Sequence, residues 1–270
     1  MEKRTEFSGK NIYYETLGSG MPLVLLHGYL ESLRIWDGFA EELAKSFKII
    51  AVDLPGHGRS EVLGDTHTME DMTDVVKQVI AETVPGERVL LTGHSLGGYV
   101  SLAFVERYPE LLTGFCLFHS HPLADSEEVK KNRMREIGLV EAGKKELICQ
   151  VNIPRAFAEE NVEKFRKEVV WATEIAKHTP DRGIQAMLRG MMLRPDRRDV
   201  LEKGNVPALW ILGKGDRYIL YDKIIQAVHP SGNVAVSVLE HSGHMGFIEE
   251  KAVSLKIITG FADRIRLSAG

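Results

Sequence analysis

Five short runs of the chain are apolar almost without a break: residues 22–26, 48–52, 87–92, 114–118 and 206–212. A strand alternates when one face meets water, so unbroken runs of this length predict strands covered on both faces, as in a parallel sheet flanked by helices. Residues 235–239 alternate more and predict a strand close to an edge. Ahead of them all, residues 3–17 predict an antiparallel hairpin turning at Ser8, Gly9 and Lys10. Helical periodicity fills the gaps at about 33–46, 69–83, 96–108, 221–228 and 249–266. Thr68 and Asp71 form a capping box ahead of the second of these, and Pro109 stops the third. Strand alternating with helix predicts an α/β fold: a doubly wound, mostly parallel, eight-stranded sheet.

One interval breaks the alternation. Residues 122–203 hold no strand-like run and read as helix over 126–137, 141–150, 159–178 and 181–193. They carry 17 of the 34 Lys and Arg, a density that belongs to solvated outer faces. The expected division is a core of residues 1–121 and 204–270 with a helical segment, 122–203, inserted after the sixth strand. There it would lie over the carboxyl ends of the strands as a lid. Phe157, Trp171, Met187, Met191 and Met192 are its candidates for an inward, pocket-lining face, and each also fits the core of the segment.

Charge narrows the partners. A formal net charge of -4 gives no electrostatic footprint for nucleic acid, and no stretch approaches the roughly 20 apolar residues that span a bilayer. The first residues show no apolar signal core, so the default expectation is a cytoplasmic protein that acts on a small molecule. Cys116 and Cys149 form no framework and read as reduced, structural thiols. No histidine and cysteine pairing has metal-site spacing, and no cofactor is expected.

The chemistry starts at Gly93-His94-Ser95-Leu96-Gly97-Gly98, between the third run and its helix. Gly-x-Ser-x-Gly alone would occur by chance in on the order of one such chain in ten. Its weight comes from the strand before it and the helix after it, the setting that lifts a serine hydroxyl clear of a sheet. Serine needs a base to take its proton and a carboxylate to orient that base. The run 206–212 ends in Gly213-Lys214-Gly215-Asp216, and 235–239 in Glu240-His241-Ser242-Gly243-His244. Asp216 alone would read as a turn former. In company it is the orienting acid. Gly243 frees the loop to aim His244 inward, so His244 is taken as the base and His241 as a histidine finishing the strand. A tetrahedral oxyanion needs fixed donors, and backbone N–H groups of Leu96 and of Tyr29, after His27-Gly28, are the candidates. His27 and His94 read as packing residues.

Together, His27-Gly28, the turn from Asp53 to Ser60, Gly93 to Gly98, Gly213 to Asp216 and Gly243-His244 resemble the α/β-hydrolase superfamily, in its branch of serine hydrolases with a helical cap. The resemblance implies a cofactor-independent enzyme forming an acyl-enzyme on Ser95, acting on a small carboxylic ester or thioester. It implies structural roles for Asp53 and His57. Carbon–carbon bond hydrolases, acyltransferases and perhydrolases share the same triad, and a small-molecule binding module or receptor on the same fold is the reading from another class. Serine rather than aspartate at the elbow points away from epoxide hydrolases and haloalkane dehalogenases. Acyl length, physiological substrate and oligomeric state are left open by the sequence.

Overall fold

The computed structural model describes residues 1–269. A hairpin of β1 (Glu2–Phe7) and β2 (Lys10–Leu17) opens the chain, followed by β3 (Met21–Leu26), α1 (Phe39–Leu43), β4 (Phe47–Val52) and α2 (Met69–Thr83). Next come β5 (Val89–His94), α3 (Leu96–Arg107) and β6 (Leu112–Phe118). Five helices then precede the next strand: α4 (Glu127–Glu141), α5 (Lys145–Ala156), α6 (Arg166–Lys177), α7 (Asp181–Leu193) and α8 (Arg198–Lys203). The chain closes with β7 (Ala208–Gly213), α9 (Tyr221–Ala227), β8 (Val234–Leu239), α10 (Gly246–Glu249) and α11 (Lys251–Ala269).

The strands form one sheet in the order β1-β2-β4-β3-β5-β6-β7-β8. Among the described strands β2 alone runs against the rest, antiparallel to both β1 and β4, and β8 is the far edge, as the patterning predicts. Leu23 to Leu26 and Val89 to Leu91 are fully buried, consistent with helices on both faces. Because β3 to β8 are parallel, every loop that follows one of them opens on the same rim. That is where ligands meet open α/β sheets.

Local chemistry moved several boundaries. The helix expected over 33–46 is a 3-10 turn at Leu33–Trp36 and the short α1, parted by Gly38 at φ +75°. The span 159–178 splits likewise into a 3-10 turn at Glu159–Asn161 and α6, whereas 249–266 is met by the single helix α11, with the short α10 ahead of it. Helix α8 has no counterpart in the reading, because six residues show too little periodicity. The capping box stands, with the Asp71 N–H 3.1 Å from Thr68 Oγ1. Cys116 and Cys149 are buried and unpaired.

The two ends of the segment between β6 and β7 are fastened to each other, and its C-terminal end to the sheet layer. Asp125 receives Arg133 at 2.6 Å and the buried Arg194 at 2.6 Å, and Arg197 reaches Glu106 on α3 at 2.7 Å. Helix α7 lies against the loop after β4. Gly190 faces the His67 carbonyl so closely that an added Cβ would sit 1.6 Å from its oxygen.

Candidate active site

Ser95 stands at the sharp turn from β5 into α3 with φ +49°, a left-handed value rare for serine. The strain falls on the serine, not on its glycines. Gly93 and Gly97 are needed for close approach: a Cβ on Gly93 would meet the Gly97 carbonyl oxygen at 2.2 Å, and one on Gly97 the Leu26 oxygen at 2.4 Å. The backbone of Ser95 is pinned on both sides, its N–H donating to Phe118 O at 3.0 Å and its carbonyl accepting Ser120 Oγ at 2.7 Å. The Leu96 amide opens α3, and neither it nor the Tyr29 amide has a hydrogen-bond acceptor among the described residues.

Asp216 and His244 meet. His244 Nδ1 lies 2.7 Å from Asp216 Oδ2, and Asp216 Oδ1 accepts the N–H groups of Tyr218 and Ile219 at 2.8 and 2.9 Å. Burial pushes the Asp216 carboxyl up, but His244, together with His119 and the Ile219 N–H, outweighs it and holds the carboxyl below its ordinary value. Burial likewise opposes charge on His244, yet the adjoining Asp216 prevails and raises the imidazole above 6.5. The other candidate base, His241, is exposed beyond the end of β8 rather than finishing it. Its N–H donates to Glu250 at 2.9 Å, and Asn161 Nδ2 donates to its carbonyl at 2.6 Å.

His94 connects the elbow to the base. Its Nε2 is 2.8 Å from the His244 carbonyl oxygen and the two rings are 4.9 Å apart. Its Nδ1 is 3.0 Å from Glu31, the carboxylate that also accepts the Gly28 N–H. Gly28 is glycine for that reason, since a Cβ would lie 2.8 Å from His94 Nδ1 and 2.9 Å from Glu31 Oε2. His27 is buried, its Nε2 accepting the Leu54 N–H at 3.0 Å, and burial holds it at about 4. Asp53 accepts the N–H groups of Leu33 and Arg59 at 2.7 and 2.9 Å, which makes it a fastening of the turn.

The pocket candidates are dispersed. Phe157 is buried where α5 ends, its backbone against Gly243; Met187 and Met191 are buried on α7; Trp171 on α6 and Met192 are half-buried. A polar arc went unread in the sequence. Tyr29 donates to Glu136 at 3.2 Å, Asn152 to Glu136 at 3.0 Å, and Tyr218 to the Asn152 carbonyl at 2.9 Å, with the Tyr218 ring 5.4 Å from that of His244. Two further residues were missed. His119, directly after β6, is buried with Nδ1 3.7 Å from Asp216, and its position at a strand end on the shared rim was a usable signal. Glu249 accepts the Gly243 and Met245 N–H groups at 2.9 and 3.2 Å and, from the helical segment, Ala158 N–H at 2.8 Å and Asn161 Nδ2 at 2.7 Å. No sequence signal marks it, because its partners are backbone groups distant in the chain.

With the geometry in hand, comparison places the chain among known proteins. A family model described as alpha/beta hydrolase fold matches residues 21–135. A pimeloyl-[acyl-carrier protein] methyl ester esterase from Nitrosomonas europaea is 38% identical over 42% of this chain and 42% of its own length. An (E)-2-((N-methylformamido)methylene)succinate hydrolase from Acinetobacter baylyi is 25% identical over 88% of this chain and 89% of its own. Among solved structures, a thermophilic esterase from Thermogutta terrifontis superposes with a TM-score of 0.89 at 26% identity, covering 98% of this chain and 99% of that one.

Proposed function

The chain belongs to the α/β-hydrolase superfamily, and on that premise we propose that it is a serine hydrolase that cleaves small carboxylic esters or thioesters through an acyl-enzyme on Ser95. The observation that carries the reading is the 2.7 Å contact of His244 Nδ1 with Asp216, tethered through His94 to the strained turn that bears Ser95. With Nδ1 committed to Asp216, Nε2 of His244 is the nitrogen left to take the Ser95 proton. The serine oxygen adds to the acyl carbonyl, and the Leu96 and Tyr29 amides receive the developing oxyanion. The leaving group departs with the proton from His244. Water then repeats the sequence and releases the acid and free Ser95. The esterase names among the similar proteins favour an ester over a carbon–carbon bond.

In this reading residues 122–203 act as a cap that closes the rim, and Phe157, Trp171, Met187, Met191 and Met192 shape the acyl pocket. The test is a fluorophosphonate probe with a panel of esters and thioesters matched in acyl length. Wild type is expected to be labelled on Ser95, and Ser95→Ala to lose at least about 10⁴-fold in kcat while remaining folded. Label on another residue, or ester hydrolysis by Ser95→Ala at the wild-type rate, rejects the assignment.

A further inference from the structure

Glu31 and His94 are buried outside the proposed triad, and a neutral imidazole beside an ionised carboxylate cannot make all of their hydrogen bonds. His94 Nε2 lies 2.8 Å from the carbonyl oxygen of His244. A carbonyl has no hydrogen to give, so Nε2 is the donor. In a neutral ring Nδ1 is then a bare lone pair, and it faces Glu31 Oε2 at 3.0 Å. That same oxygen already accepts the Gly28 N–H at 2.5 Å. Two lone pairs at this separation repel in a buried site, whereas one proton between them makes a strong, charge-assisted bond. Written on His94 it gives imidazolium and carboxylate; written on Glu31 it gives imidazole and carboxylic acid. The proton belongs to the pair in either form.

We propose that Glu31 and His94 are positioning residues locked together by one shared proton, and that loss of this proton sets the alkaline limb of the hydrolase activity. The activity half of the inference rests on the serine hydrolase reading. Gly28 precedes Tyr29, whose amide is a proposed oxyanion donor; His94 precedes Ser95; the carbonyl at the far end belongs to His244. The three loops that bear donor, nucleophile and base are therefore joined at one point. Once the proton leaves, the carboxylate and Nδ1 repel, and at least one loop must give way. A displacement of about 1 Å at such a site costs about 10²-fold in rate.

The groups around the pair leave it this role. The His94 ring is 4.9 Å from that of His244 and 6.2 Å from that of His119, with Trp36, Phe118 and Phe247 meeting it edge-on. His27 and His57 are its other ionisable neighbours, one beside His94 and the other within the field of Glu31. Burial holds His27 at about 4, His57 at about 3 and His119 well below 6.5, so these three stay neutral as pH rises from 7. His244 loses its proton on becoming a competent base and so governs the acid limb.

The test compares kcat/KM from about pH 5 to 10 for wild type and Glu31→Gln, and reads the His94 nitrogens of the wild-type protein by ¹⁵N-histidine NMR. A carboxamide atom that accepts the Gly28 N–H cannot also donate to Nδ1, so the variant has no shared proton to lose. Expected are a drop of about 10²-fold at pH 7 and no alkaline limb in Glu31→Gln. In wild type the NMR should show Nε2 protonated together with a deshielded proton between Nδ1 and Glu31, lost at the pH of the alkaline limb. A wild-type profile without that limb, a limb unchanged in Glu31→Gln, or a bare Nδ1 with no shared proton at pH 7 overturns the proposal. The NMR decides the matter even if Glu31→Gln does not fold. Fluorophosphonate labelling of wild type separates the two readings: no label on Ser95 removes the hydrolase reading, while the proton on His94 is still counted.

Discussion

The turn that carries Ser95 and the loop that carries His244 lie on one rim of the sheet and are held in opposite ways. The turn is gripped mostly by backbone: Phe118 O, the close approach of Gly93 and Gly97, and the first turn of α3, with Ser120 Oγ the one side chain among the described residues on the Ser95 carbonyl. The His244 loop is gripped by side chains and by the helical segment between β6 and β7. Ala156 O accepts the His244 N–H at 2.6 Å, Asn161 reaches the His241 carbonyl, and Glu249 gathers N–H donors from both the loop and the segment. The helical segment thus has a part beyond the cover proposed for it. It holds part of the loop on which the proposed base depends, so changes there should reach the chemistry as well as selectivity.

The largest way to break the comparison, after loss of Ser95 itself, is to remove the acid that orients the base. Asp216→Asn favours the wrong imidazole tautomer and should lower kcat by about 10⁴-fold, with His241→Ala close to wild type. Equal losses at the two positions would place the base elsewhere. Next comes the clamp. Glu249→Gln presents one acceptor oxygen to donors that a carboxylate now serves with two, so at least one buried N–H goes unpaired. Expected are a stability loss of about 2–4 kcal/mol in denaturant unfolding and a fall of about 10²-fold in kcat, with Ser95 still labelled. Normal kcat in a folded Glu249→Gln would mean the His244 loop needs no support from the segment.

A smaller effect sharpens the electrostatics. His244 must be neutral to accept a proton, and its folded value is raised above 6.5 mainly because Asp216 overcomes burial. The acid limb of kcat/KM should therefore have its midpoint above 6.5 in wild type. In Asp216→Asn that attraction is gone, burial dominates, and the midpoint should fall below 6.5. A profile unmoved by the substitution would show that Asp216 does not set the titration. The smallest expected effect is at the pocket. Large-to-small changes at Trp171, Met187, Met191 or Met192 should shift the preferred acyl length in at least one variant. Each methylene discriminates about 10 to 200-fold, and the rate on the smallest ester should stay within about tenfold of wild type. Unchanged preference in all four would show that the pocket is walled by other residues, with the polar arc from Tyr29 through Glu136 and Asn152 to Tyr218 the first alternative.

Legibility followed the range of the interactions. Continuous apolar runs announced β3 to β7 because a strand buried on both faces leaves that imprint residue by residue, and the weaker alternation at 235–239 marked the edge. The elbow could be read for a similar reason, since strand, glycines and helix lie within a dozen residues. The helical segment was less open to reading. Its helices pack on one another and on loops such as 54–67, so no single stripe states which residues face the rim. Splits at Gly38 and ahead of α6 arose from local turns that interrupt an otherwise helical pattern.

By itself, then, the amino-acid order determined an α/β sheet with helices on both faces and the succession Ser95, Asp216, His244 at the ends of its strands, because periodicity and strand-end chemistry are local. Only the tertiary structure decided how these residues are held. Glu31 serves Gly28 and His94, His94 serves His244, and Glu249 joins Ala158 to Gly243, partners between 3 and 150 residues apart. A buried carboxylate meets whatever donors the folded chain brings to it, and that meeting depends on the packing of whole layers, which no local pattern records.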